Sequence, residues 1–219
     1  MTKHENIFFP LIERRAVYNG KGDGKKSSYS DYRSEIEEDC KNRCVYCDVS
    51  LEEHGYEGMV IDHFRPEKHF PQLSDNPNNL VLTCPKCNRS KWHHWPCEKK
   101  DNMPSYKGNV GFIDPFAEDR KSFFSVRADG SLESIKSPAQ YMIKILNLNR
   151  KARIQVRRRR ILQNEIGLLV DACSDCIQRV HSSARKGELA AQEAMQELER
   201  LQSTHTKLQS LCREIWGNV

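Results

Sequence analysis

Long hydrophobic runs are missing from this chain of 219 residues. The longest, IFFPLI at residues 7–12 and IGLLV at 166–170, fall far short of the about 18–20 apolar residues that a membrane-crossing helix needs. No bilayer span is expected. The opening MTKHENIFFPLIERR has no basic leader, no long apolar stretch and no small-residue cleavage site. No signal peptide is therefore expected, and the expected compartment is cytoplasmic. A phosphate-binding loop of the GxxxxGK-Ser/Thr type is absent, and so are internal repeats. Acidic residues are absent from residues 141–160, which hold eight Lys or Arg; with a total of +5, the remainder is negative by three. The positive excess is thus one local patch, suited to phosphate, an acidic partner or water.

Cysteine, by contrast, is plentiful: nine, an odd number. In a reducing compartment, paired CxxC spacing indicates metal rather than disulfide. Cys44 and Cys47 form one such knuckle, Cys84 and Cys87 another. Zinc takes four thiolates in a tetrahedron, two from each knuckle. A structural zinc site supplies on the order of 10–16 kcal/mol of apparent binding energy, enough to fold a module with little core. Cys173 and Cys176 are also spaced CxxC, but they lie in a helical pattern with no second pair, and a packing role is expected. Cys40, Cys97 and Cys212 are read as structural, Cys40 being the one able to substitute as a ligand.

The chain divides into three expected regions, of α+β class. Residues 1–30, with the Gly-, Lys- and Ser-rich YNGKGDGKKSSYS at 18–30, form a flexible N-terminal segment able to dock a partner. Residues 31–136 hold the zinc-stapled module and short strands after it. A polar helix is expected at about 31–41, and two short strands within residues 111–130, closing on an Asp-Gly turn. Residues 137–219 are helical, with a basic stripe and an antiparallel hairpin. Ile161, Ile166, Leu169, Val170, Cys173, Ile177 and Val180 recur at threes and fours, as do Leu198, Leu201, Leu208, Leu211 and Ile215, with a break at Gly187.

Between the knuckles lies MVIDHFRPEKHFP, residues 59–71. An apolar strand delivers Asp62-His63, FRP breaks it, and Asn79-Leu80-Val81-Leu82 returns into the second knuckle. The expected shape is a strand pair folded against a helix that begins near Cys87, with Asp62 and Asn88 facing one small cavity. Asp62-His63, Asn79 and Cys87-Asn88, framed by two knuckles, resemble the HNH endonucleases over about residues 40–92. The commonest pattern has His after the last Cys; Asn88 stands there instead, as in some active branches. The resemblance implies a ββα-metal, treble-clef fold in which His63 is the general base and Asn79 braces the loop that orients it. It also implies a catalytic divalent ion, Mg²⁺ or Mn²⁺, held by Asp62 and Asn88. A hard ion prefers oxygen ligands and keeps several waters, so one carboxylate and one amide oxygen suffice.

Arg65 and Lys91 are expected at the phosphates beside the scissile bond, in preference to Lys68 and Arg89. In NRKARIQVRRRR, residues 149–160, the arginines Arg150, Arg153, Arg157 and Arg160 share one helical face, and a nucleic-acid backbone suits such a stripe. Trp92 and Trp95 are read as a lid over the zinc module, His93 and His94 as surface residues. DHFRPEKHFP, NLVLTCPKCNRSK, FIDPF and LNLNR are similar to the HNH subunit of two-gene anti-phage systems of the Septu type, also found in retron cassettes. That resemblance implies DNA as substrate, an ATPase as partner, and docking through the N-terminal segment and the helical hairpin. The competing reading from another class is a non-catalytic zinc module that binds nucleic acid or protein. Asp62, His63 and Asn88 together separate the two.

Overall fold

The residues that end in Asp62 and His63 form a strand because Val60 and Ile61 precede them and a Pro-containing turn follows. In this computed structural model β1 (Val60–His63) pairs antiparallel with β2 (Leu80–Thr83), in the register Asp62 opposite Val81 and His63 opposite Leu80. The chain then enters α2 (Pro85–Lys91). The helix starts two residues before Cys87, because Pro85 fits the first helical turn and Cys84 caps it. α2 packs on β1, and α1 (Arg33–Asp39) packs on β2.

The structure describes residues 7–20 and 27–216, the side chains of 215 and 216 excepted. The expectation of looseness at 1–6 and 21–26, and that of a buried Ile215, lie outside the described residues. The described N-terminal residues are packed instead. Phe8, Phe9 and Ile12 are buried. Arg14 donates to the carbonyls of Pro77, Asn78 and Leu80, and Arg15 pairs with Glu38 and Asp39. Apolar side chains and a carbonyl-binding guanidinium fix this segment beside the second strand.

Two further strand pairs follow, β3 (Tyr106–Lys107) with β4 (Val110–Gly111) and β5 (Phe124–Val126) with β6 (Leu132–Ser134). Of the two strands expected within residues 111–130, one is there in full, Phe124–Val126, while the other reaches only Gly111. Phe124–Val126 pairs forward across the Asp129-Gly130 turn. At Gly111, φ is +127° and an added Cβ would lie 2.3 Å from the Tyr106 backbone, so only glycine closes this turn. α3 (Ala139–Ile145) packs on β4 and β6.

The chain forms two compact units, one ending at Arg157 and the other beginning at Arg158. α4 (Lys151–Arg185) runs from the first into the second, and α5 (Ala191–Trp216) follows. Within the second unit the Cys173 thiol donates to the Leu201 carbonyl, and the Ser174 hydroxyl meets His205 Nε2 at 3.1 Å. Leu169 and Leu211, expected on inner faces, are exposed. Of the expected inner-face positions Ile161 and Cys173 are buried, as are Ala194 and Cys212, so the covered seam is narrower than the apolar stripe. Among the described residues, no helix is long and apolar enough to cross a membrane.

The arginine face at the start of α4 is covered rather than open. Arg157 is 1 % exposed, and Arg153 and Arg160 are also buried. Arg157 donates to the carbonyls of Gly130 and Leu148 and to Asn149 Oδ1. The contacts of Arg157 and the burial of Arg153 and Arg160 correct the expectation of these three as a nucleic-acid stripe, because none of them lies open. Arg157→Ala, which strands those acceptors, is expected to lower unfolding free energy by about 2–4 kcal/mol. Alanine at the exposed Arg158 or Arg159 is expected to change it by less than about 0.5 kcal/mol. Denaturant midpoints at constant slope measure both.

Candidate functional site

Both knuckles are shaped by backbone bonds that turn sulfurs inward. In the first, Asp48 N–H donates to the Cys44 carbonyl and Cys44 N–H to Val49. In the second, Cys84 caps α2 and Asn88 N–H returns to its carbonyl. Cys44, Cys47, Cys84 and Cys87 are all buried, their sulfurs lie within 4.8 Å of one another, and Cys47 and Cys84 stand 3.8 Å apart. A tetrahedron with about 2.3 Å zinc–sulfur bonds has edges of about 3.8 Å, so the four thiols fit zinc. Burial pushes the Cys44 thiol well above its ordinary pKa, while bonds from Cys44, Cys47 and Cys87 pull Cys84 below it. All four would be thiolates together only with a cation among them. Cys40 lies outside the cluster: its sulfur accepts from Leu82 N–H, and burial pushes its pKa up to about 11. It is no substitute ligand.

Arg150 comes next to the sulfurs. Its Nη2 lies 3.4 Å from Cys84, 3.5 Å from Cys87 and 3.8 Å from Cys47. Burial opposes its charge, but the sulfurs of Cys87 and Cys47 outweigh that, and its pKa stands above the ordinary arginine value. A nucleic-acid contact was expected of Arg150; the cysteine cluster holds it instead.

The strand end beside the cluster carries the expected Asp62-His63 pair. Asp62 is 6 % exposed. Its Oδ2 accepts from the Tyr46 hydroxyl at 2.8 Å and faces Lys91 Nζ at 2.9 Å, and its Oδ1 lies 3.2 Å from the same nitrogen. Burial, reinforced by Asp62, raises the Tyr46 phenol well above its usual pKa and keeps it a donor. Lys91 is 0 % exposed and also donates to the His63 carbonyl at 2.8 Å. The expectation of Lys91 at a phosphate is corrected, because a buried carboxylate one element away already takes its charge. In this arrangement Asp62 does not fit a divalent ion: both oxygens face an ammonium. Asn88, half-buried on α2, has no side-chain hydrogen bond among the described residues.

His63 is half-buried, with its ring 5.3 Å from that of Tyr29. Its Nε2 lies 2.8 Å from the Ser74 carbonyl. A carbonyl only accepts, so in the neutral ring Nε2 carries the proton and Nδ1 keeps its lone pair. Asn79 ties the two flanks of this turn together. Its Oδ1 accepts from Arg65 N–H at 2.8 Å, and its Nδ2 donates to the carbonyls of Arg65 and Leu73 at 3.0 and 3.3 Å. The Arg65 guanidinium donates to the Met103 carbonyl at 2.6 Å and lies over the rings of Phe70 and Trp95. It braces a loop here, which differs from the expected phosphate contact. Trp95 is buried against Phe64, Phe70 and Phe112, whereas Trp92 is 67 % exposed. Of the two, only Trp95 has the covered position a lid requires.

Tyr46, Ser74, Tyr29 and the sulfur contact of Arg150 escaped the sequence reading. Tyr46 carried a signal, since it lies inside the CVYC knuckle; Ser74 acts through its backbone and carries none.

The chain matches the family model described as HNH endonuclease over residues 44–93, a span that holds all four clustered cysteines and Asp62, His63, Asn79 and Asn88. It is 40 % identical over 53 residues to the Septu protein PtuB of Bacillus thuringiensis, covering 24 % of this chain and 20 % of that protein. To the Septu protein PtuB of Bacillus mycoides (strain KBAB4) it is 27 % identical over 110 residues, 42 % of this chain and 37 % of that one. The matches thus span about a fifth and somewhat over a third of these curated relatives. No solved structure matches the chain at a comparable level.

The Lys91–Asp62 pair yields a test of the site's energetics. Lys91→Met leaves a buried carboxylate uncompensated and is expected to cost about 3–5 kcal/mol. Adding Asp62→Asn is expected to recover most of that loss, because neither charge then remains. A double-mutant cycle by denaturant unfolding of the zinc-loaded chain reads both.

Proposed function

We propose that this chain is an HNH-type endonuclease that hydrolyses phosphodiester bonds of DNA. The observation that carries the reading is His63, with Nε2 on the Ser74 carbonyl, at the end of a strand that packs on α2, the helix whose start carries two of the clustered cysteines. On this reading the Nδ1 lone pair accepts a proton from a water whose oxygen bonds to phosphorus as the bond to the leaving 3′-oxygen breaks. Ser74 fixes the tautomer, and Asn79 holds the turn that orients the ring. Asp62 and Asn88, the oxygen pair expected to hold a divalent ion, do not fit one in this arrangement, because Lys91 Nζ faces both Asp62 oxygens.

The similarity to Septu proteins supports a role as the nuclease of a bacterial anti-phage defence complex, with an ATPase as the proposed partner. The N-terminal segment and the two long helices, read as an antiparallel hairpin, are the proposed docking surfaces. A second reading, a zinc module that binds without cutting, is favoured by one observation: Lys91 already occupies the Asp62 carboxylate.

His63→Ala is expected to lower plasmid cleavage in Mg²⁺ or Mn²⁺ by about 10²–10⁴-fold while zinc content and thermal midpoint stay at parent values. The assay is run with and without the neighbouring gene product, and cleavage is expected to be weak without it. Equal cutting by parent and variant sinks the assignment of His63, and binding without cutting by the complete complex supports the second reading.

A further inference from the structure

The turn that leads into α4 brings Arg150 to the cysteine cluster, and its placement is built rather than accidental. Asn147, at φ +48°, reverses the chain after α3, and its carbonyl accepts from both the backbone N–H and Nη1 of Arg150 at 3.2 Å. Asn149 is locked by a bond from Leu132 N–H at 2.7 Å and one to the Leu132 carbonyl at 2.9 Å. Arg153 N–H then returns to the Arg150 carbonyl at 2.8 Å. Nη2 of Arg150 consequently faces three of the four sulfurs. Arg153 is buried, its Nε has no hydrogen-bond partner, and the sulfurs of Cys47 and Cys84 are its attractive charges.

We propose that Arg150 belongs to the zinc centre as a guanidinium cap, offsetting the charge of the four thiolates and shielding the sulfurs from chelators, oxidants and alkylating agents. Zinc with four thiolates has a formal charge of two minus, and every ligand here is buried. A dianion away from water is costly unless cations or donors compensate it. One guanidinium against the sulfurs offsets half of that charge, and its N–H aimed at a sulfur draws density from the lone pair that an electrophile attacks. Arginine suits the place better than lysine, because one arm of the planar fork, Nη1, is held by the Asn147 carbonyl while the other, Nη2, lies within 3.8 Å of three sulfurs.

The test uses the zinc-loaded full chain with Arg150→Ala, Arg150→Gln and Arg150→Lys, and Arg159→Ala as an exposed control. Zinc transfer to a chromogenic chelator is expected to be roughly 10-fold faster in the Ala and Gln variants. It is expected to stay within roughly 3-fold of the parent in Arg150→Lys, which keeps the charge and loses the fork. Cysteine alkylation rates are expected to follow the same order, with Arg159→Ala unchanged. In Co²⁺-loaded protein the sulfur-to-metal charge-transfer band is expected at lower energy once the N–H donors are gone, a shift that a merely structural residue would not cause. Parent-like release from a folded Ala or Gln variant, with an unmoved band, overturns the cap. If Arg150→Ala does not fold, the Gln and Lys variants decide, and equal release from those two overturns it.

Discussion

Four sulfurs held within 4.8 Å of one another set the geometry of everything around them. They join residues 44–47 to 84–87 and so close a loop that contains both strands of the candidate site. Each strand is four residues long, and the sheet has two strands; such a ribbon is marginal by itself in water. A structural zinc ion worth on the order of 10–16 kcal/mol is large against that deficit. The clamp also fixes where α2 begins, because Cys84 is its cap. Lys91, on the same short helix, can then meet Asp62 on β1 at 2.9 Å.

The second feature of the module is how many of its charges lie inside. Lys91 faces Asp62 and Arg150 faces sulfur. Arg120, buried, donates to the carbonyls of Val45 and Pro10, and Arg157 to those of Gly130 and Leu148. Long basic side chains reach between loops and satisfy carbonyls that no ladder pairs. Tyr46 does similar work from within the first knuckle, its hydroxyl on Asp62. The metal cluster and the candidate catalytic strand end are thereby joined through one side chain as well as through the backbone.

Residues whose role follows from spacing were legible beforehand. Two CxxC knuckles announce a tetrahedral site, and an apolar strand that ends in Asp-His announces a placed pair; the structure brings the four cysteines together and puts Asp62 and His63 at a strand end. Helical period also grouped Arg150, Arg153 and Arg157 on one face. What period cannot say is what that face meets. Lys91 was misjudged for the same reason: its partner is 29 residues away in sequence, and a lysine beside a metal knuckle reads alike whether it faces water or a carboxylate. Leu169 and Leu211 failed differently. Their spacing marks a stripe, but the covered seam between two helices is narrower than the stripe.

Whether an arginine faces phosphate or an internal anion is settled by magnitudes that a sequence does not print. Two unit charges about 4 Å apart attract by about 1 kcal/mol in bulk water and about 4 kcal/mol at the effective dielectric found near a protein surface. A thiolate cluster that is already buried also carries a desolvation cost which an exposed DNA backbone does not. An arginine within reach of both is therefore drawn to the sulfurs, where its charge relieves a cost that folding has already incurred. The positive excess of residues 141–160 is thus divided. Arg150, Arg153 and Arg157 are engaged by the fold, while Arg158 and Arg159, exposed on the same helix, stay available to an external anion. A strongly basic run can hold both kinds of arginine in adjacent positions, and burial is what tells them apart.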